Sequence, residues 1–211
     1  INAKDWGKYF YNDDLNIKLD TKITRSELLD SNFIKDLNNE EFAIAILSWG
    51  GMNREHGKSL FQNKEWLELF EKIRSNHITT REEVYALFTA LRKSKKLKGM
   101  GPAYFTKLIC FVNPNLKGYI MDQWTSKSIN LLFENNIVAL TNSGHVKDTN
   151  SASVYEEFCS KIECLAELLK LNPIDLEENL FSNGGVNKGK WRQFVVDNWS
   201  NLNKLKLSES K

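Results

Sequence analysis

The segment Leu97-Lys98-Gly99-Met100-Gly101-Pro102-Ala103-Tyr104-Phe105-Thr106-Lys107-Leu108 places a Gly-x-Gly turn directly before a proline and an apolar run. Proline has no N–H, and the first helical turn leaves that donor unpaired anyway, so Pro102 reads as the first residue of a helix. A preceding helix ends near Lys95. The stretch 92–112 is therefore helix, glycine hairpin, helix. Two glycines let the backbone pass close to a neighbour and turn several amides outward at the new helix's start, where the dipole adds partial positive charge. Such a turn suits a phosphate oxygen. Lys96 and Lys98 add Coulombic attraction, and Gly99, Gly101 and Ala103 supply the backbone. From Arg92 to Lys107 there are six basic residues and no acidic one. Taken alone, a Gly-x-Gly is more often an ordinary tight turn, and a basic run a solvated face.

Helical periodicity continues on both sides. Phe42–Trp49 is apolar nearly all round, the mark of a central helix covered on every side. Trp66, Leu69, Phe70 and Ile73 fall at i, i+3, i+4, i+7, and so do Val84, Leu87, Phe88 and Leu91 behind the N-caps Thr79 and Thr80. Tyr155, Phe158, Ile162, Leu165 and Leu169 form a third stripe, closed at Asn172-Pro173, and Phe194, Val195 and Trp199 mark a last helix. Turns fall at Asn113-Pro114-Asn115, Asn142-Ser143-Gly144 and Asn183-Gly184-Gly185, and the polar tail 203–211 is expected to fray. No stretch alternates as a strand does. The expectation is an all-α chain of about eight to ten helices, a single domain over 1–211 in two helical lobes with a groove between them.

Composition narrows the function classes. The 211 residues are 41% hydrophobic with only three prolines, enough for a sizeable core. Net charge is +2, so the local basic run says more than the total. No apolar stretch approaches the ~20 residues that cross a bilayer. Ile1–Lys8 has no signal-peptide pattern, and the missing initial Met reads as a trimmed leader or tag. Cys110, Cys159 and Cys164 are odd in number and unclustered, and His56, His77 and His145 are scattered. Free thiols in a reducing cytoplasm, without a transition metal or iron–sulfur cluster, are expected. A monomer in that compartment is expected.

Downstream of the hairpin, Tyr119-Ile120-Met121-Asp122-Gln123-Trp124 puts an aspartate inside an apolar frame, before a helix over 123–133. By itself Asp122 reads as that helix's N-cap. With the hairpin before it, the chain resembles the helix-hairpin-helix DNA glycosylase superfamily and, within it, the 8-oxoguanine branch without its N-terminal β-domain. In that family Leu-x-Gly-Val-Gly-x-Lys is followed nineteen residues later by the catalytic aspartate. Here Ala103 stands in the lysine's place, and Asp122 follows it by nineteen with no gap. Glu41–Ser48 is similar to the family's central helix. The loop after it, Gly50, Gly51, Met52, Asn53 and Arg54 with His56 beyond, falls where residues fill the space left by a flipped base. Trp191-Arg192-Gln193 is similar to the segment that carries a base-reading glutamine.

The resemblance implies double-stranded DNA with a damaged or modified base as partner. Asp122 would stabilise an oxocarbenium-like sugar. Gln193, Trp49, Trp124 and Trp191 would build the base pocket, each tryptophan having a core role as its plainer reading. Lys107, one turn after Ala103, is the candidate amine for attack on C1′ and strand cleavage, with a phosphate contact or a solvated side chain as its alternative. No cofactor is expected beyond an alkali cation held by hairpin carbonyls. Three further readings stay open: a glycosylase for another modified base, for instance in phage DNA, a hairpin module that binds DNA without chemistry, and a helical protein-interaction domain whose match is accidental.

Overall fold

The computed structural model describes residues 2–11, 14–182 and 189–209. The Asn183-Gly184-Gly185 turn lies outside the described residues. Within them all regular structure is helical, apart from one isolated bridge between Leu140 and Val146 across the turn at 142–144. The all-α expectation holds. The helices number twelve α-helices and two 3-10 turns among the described residues, more than periodicity suggested. The excess lies in N-terminal helices of four or five residues, too short to display a period. Contacts divide the chain into two compact units, Ile1–Gly118 and Tyr119–Lys211.

The first unit holds α1 (Ala3–Gly7), α2 (Arg25–Leu29), α3 (Ser31–Ile34), α4 (Asn39–Trp49), α5 (Arg54–Phe61), α6 (Trp66–Arg74), α7 (Arg81–Lys93) and α8 (Pro102–Val112). Asn38 and Glu41 close a reciprocal capping box at the start of α4. From Phe42 to Leu47 every side chain of α4 is fully buried, against α1, α2, α6 and α8. Each large apolar side chain there contributes about 1.5–3 kcal/mol. The α6 stripe is buried as its spacing predicts.

On α7 the buried face is Arg81, Val84, Tyr85 and Phe88, so Leu87 is exposed rather than covered. The i, i+3, i+4, i+7 spacing is kept but sits one turn earlier. Tyr85 meets the edge of Phe105 at 4.9 Å, and Arg81 donates to the Lys117 carbonyl at 2.7 Å. An aromatic and an arginine tied to a carbonyl claim that face before the leucines do.

The second unit holds α9 (Gln123–Leu132), α10 (Ala152–Leu169), α11 (Pro173–Ser182) and α12 (Lys190–Glu209). The first of these packs against the other three. Tyr155, Phe158, Ile162 and Ala166 of α10 are buried, whereas Leu169 is exposed: the stripe closes on a small residue. Helix α12 is continuous past Asn203, where the polar composition predicts fraying.

Candidate active site

In the first unit the hairpin forms as its glycines require. Gly99 has φ +77°, and a Cβ there would lie 2.7 Å from the His56 carbonyl oxygen. The turn therefore rests directly on the backbone of α5. Gly101 is the N-cap of α8, with no side-chain cap, and Pro102 follows at the first helical position. Leu97 and Met100 are buried beneath the turn, while Lys98 is exposed. Lys96 pairs with Glu65 at 2.5 Å, and that hydrogen bond raises the lysine above its ordinary value. An anion approaching Lys96 therefore competes with a carboxylate already there. Arg92, in the last turn of α7, donates through Nη1 to the Met100 carbonyl at 3.0 Å.

Lys107 lies on α8 one turn beyond Ala103 and is only 8% exposed. Its ammonium donates to the Ala103 carbonyl at 2.8 Å and sits 5.4 Å from the Tyr104 ring centroid. Its stem runs beside Gly50, where a Cβ would fall 2.6 Å from Lys107 Cδ. Tyr104 donates to the Gly51 carbonyl at 3.4 Å. The hairpin helix and the loop after α4 are thus in direct contact.

That loop is held from its other side too. Trp6 of α1, itself buried, donates its indole N–H to the Met52 carbonyl at 2.7 Å. Asn53 caps α5 by accepting from Glu55 N at 2.8 Å. Gly51, Asn53, Arg54 and His56 are exposed, on a backbone fixed by these bonds. Trp49 is partly buried, edge-on to Phe111 at 5.1 Å.

In the second unit Asp122 is the N-cap of α9 and 8% exposed. Its Oδ1 accepts from Trp124 N at 2.7 Å and Thr125 N at 3.0 Å, while Thr125 Oγ1 accepts from Asp122 N at 3.0 Å. Among the described residues these cap bonds use Oδ1, and Oδ2 takes none. A carboxylate fixed through one oxygen, with the other available, can stabilise positive charge that develops next to it.

Trp124, two residues on, is a cation platform. The Arg192 guanidinium lies 3.8 Å from its ring centroid and the Lys127 ammonium 4.6 Å. Arg192 also donates through Nε to the Phe181 carbonyl at 2.9 Å. Burial lowers Arg192, opposed by the Asp122 charge; burial and then repulsion from Arg192 lower Lys127. Gly144 leaves room for Lys127, since a Cβ there would be 2.7 Å from its Nζ. Trp191 donates to Ser128 Oγ at 2.8 Å and stacks on Phe194 at 5.3 Å. Gln193 is exposed and donates to Asp197 on its own helix at 2.8 Å.

A family model described as "Putative 8-oxoguanine DNA glycosylase OGG-like protein" matches residues 2–181. The chain belongs to this OGG-like family. The match takes in the hairpin, the loop at 50–56 and Asp122, and ends before Trp191, Arg192 and Gln193. No curated protein and no solved structure matches the chain. At family level the activity is that of a DNA glycosylase and the substrate is DNA. Among the described residues no group of His, Cys, Asp and Glu is placed to hold a metal, and no helix is long and apolar enough to cross a membrane.

Sequence reasoning did not single out Trp6, Tyr104 or Lys127, and it named Arg92 only within the basic run and Arg192 only within the Trp191-Arg192-Gln193 segment. Thr125 had a legible signal, a hydroxyl three residues after an N-cap aspartate. The others act through contacts between elements, which local spacing does not encode.

Proposed function

We propose that this protein excises a damaged base, 8-oxoguanine, from double-stranded DNA. The observation that carries the reading is Asp122: a buried carboxylate held through Oδ1 at a helix start, nineteen residues after the hairpin position of Ala103. The hairpin grips one strand by its phosphates, through Gly99, Gly101 and Ala103 amides with Lys98 adding charge. Asn53, which caps α5, and Arg54 and His56 in that helix's first turn fill the space vacated by the extruded nucleotide. The Asp122 side chain stabilises the sugar as the N-glycosidic bond breaks. Trp49, Trp124, Trp191 and Gln193 are the candidate pocket residues, and Trp124 enters with cations already on its ring.

Lys107 is the candidate nucleophile of an accompanying abasic-site lyase activity. Burial and a hydrogen bond to Ala103 support the assignment, since an ordered amine reaches its target with little entropic loss. Attack of the neutral amine on C1′ expels the base, and loss of the ring oxygen bond gives an imine that borohydride reduces to a stable adduct. If water attacks instead, the base is released without an adduct.

The test is a labelled duplex with one 8-oxoguanine opposite cytosine, incubated with wild type, Asp122→Asn and Lys107→Gln, and resolved with and without hot alkali and borohydride. Base release and adduct both lost in Asp122→Asn, and no adduct from Lys107→Gln even on a duplex with a preformed abasic site, are the expected results. Salt-sensitive binding without release would sink the 8-oxoguanine assignment.

A further inference from the structure

We propose that Arg92 is the resident cation of the hairpin, in the place that an alkali ion would otherwise take. The proposal rests on the reading of the hairpin as a DNA-backbone grip. An ion there would have to be held by the turn's carbonyl oxygens. The Met100 carbonyl, immediately before the N-cap of α8, instead accepts from Arg92 Nη1 at 3.0 Å.

The donor is well placed to be permanent. Arg92 is in the last turn of α7, so its guanidinium spans the neck of the hairpin from one helix end to the next helix start. The backbone beneath it is fixed: Lys95 N donates to the Arg92 carbonyl at 3.0 Å and Lys96 N to the Leu91 carbonyl at 2.9 Å. Met100, whose carbonyl it takes, has a fully buried side chain.

Two consequences follow from electrostatics. A second cation on the same carbonyl would sit within a few ångströms of the guanidinium in a partly dry environment, where like charges repel strongly. The hairpin therefore does not recruit an alkali ion. Polarising a peptide carbonyl also strengthens the donor character of the amide bonded to it, here Gly101 N–H, one of the amides proposed to meet phosphate.

The experiment measures affinity for an undamaged duplex by fluorescence anisotropy in sodium, potassium and tetramethylammonium chloride at one ionic strength. Tetramethylammonium screens phosphates but is too large to enter a turn of carbonyls. Wild-type affinity is expected to agree to within about twofold across the three salts. Arg92→Met is expected to bind about tenfold more weakly in tetramethylammonium and to recover partly in sodium or potassium. Arg92→Lys keeps the charge and should keep the indifference to cation; should Arg92→Met not fold, it and the wild type decide the matter. Wild-type binding that is stronger in potassium or sodium by more than about threefold overturns the assignment. Absence of salt-sensitive duplex binding in every salt overturns the DNA reading, and this assignment with it.

Discussion

Gly50 and Lys107 share one volume: a Cβ on Gly50 would lie 2.6 Å from Lys107 Cδ and 2.9 Å from Cε. The backbone of Gly50 has φ −68°, which any residue adopts, so its glycine is there for space and not for conformation. The obstructing atoms belong to a flexible side chain. Gly50→Ala should thus fold with a stability change under about 1 kcal/mol while pushing the lysine stem aside. We expect borohydride trapping to fall at least about tenfold, since a misplaced nucleophile loses most of its advantage. Trapping at the wild-type level with a normal melting curve would remove Lys107 from the chemistry.

Asp122 has two separable roles, cap and carboxylate. Asparagine caps a helix as well as aspartate, so Asp122→Asn should keep α9 and its stability to within about 0.5 kcal/mol. Excision should fall by about two orders of magnitude or more. Asp122→Ala should lose the activity and about 1 kcal/mol of stability besides. Urea melts beside single-turnover excision separate these roles. Wild-type turnover by the asparagine variant would leave Asp122 as a cap alone.

Gly99 differs from Gly50 because the obstructing atom is the His56 carbonyl oxygen, 2.7 Å from a Cβ, and the φ of +77° is itself strained for other residues. Gly99→Ala should cost about 1–3 kcal/mol and weaken duplex binding, as the turn lifts off α5. Equilibrium denaturation and anisotropy read the two effects. An unchanged melt would show that the turn and α5 separate freely.

Lys127 gives a pH prediction. Burial, then Arg192, hold it below the ordinary lysine value of 10.5. A folded-state value below the unfolded one means that the unfolded chain binds the extra proton between the two. Stability from this group therefore rises with pH in the window that runs from the lowered value up to 10.5. Lys127→Met should flatten that rise, seen as the wild-type minus variant stability across roughly pH 8 to 11. A difference that falls with pH would reverse the assignment of burial as its cause.

The central helix, the α6 stripe, the hairpin and the cap at Asp122 were legible in the sequence because each depends on residues within a turn or two of one another. Register on α7 and α10 was not, because Tyr85 and Ala166 win their buried places through partners on other elements. Trp6 is the sharpest case: nothing near residue 6 announces a hydrogen bond to Met52.

The sequence by itself determined the all-helical class, the family and the candidate residues at Asp122 and the hairpin, since period, glycine placement and chain spacing are local quantities. Only the tertiary structure decided what holds them. Gly50 yields its space to Lys107, Trp6 fixes the Met52 carbonyl, Arg92 takes that of Met100, and Arg192 lies on Trp124. Side-chain hydrogen bonds and cation–ring contacts depend on which elements meet, and that is settled by burying whole apolar faces together.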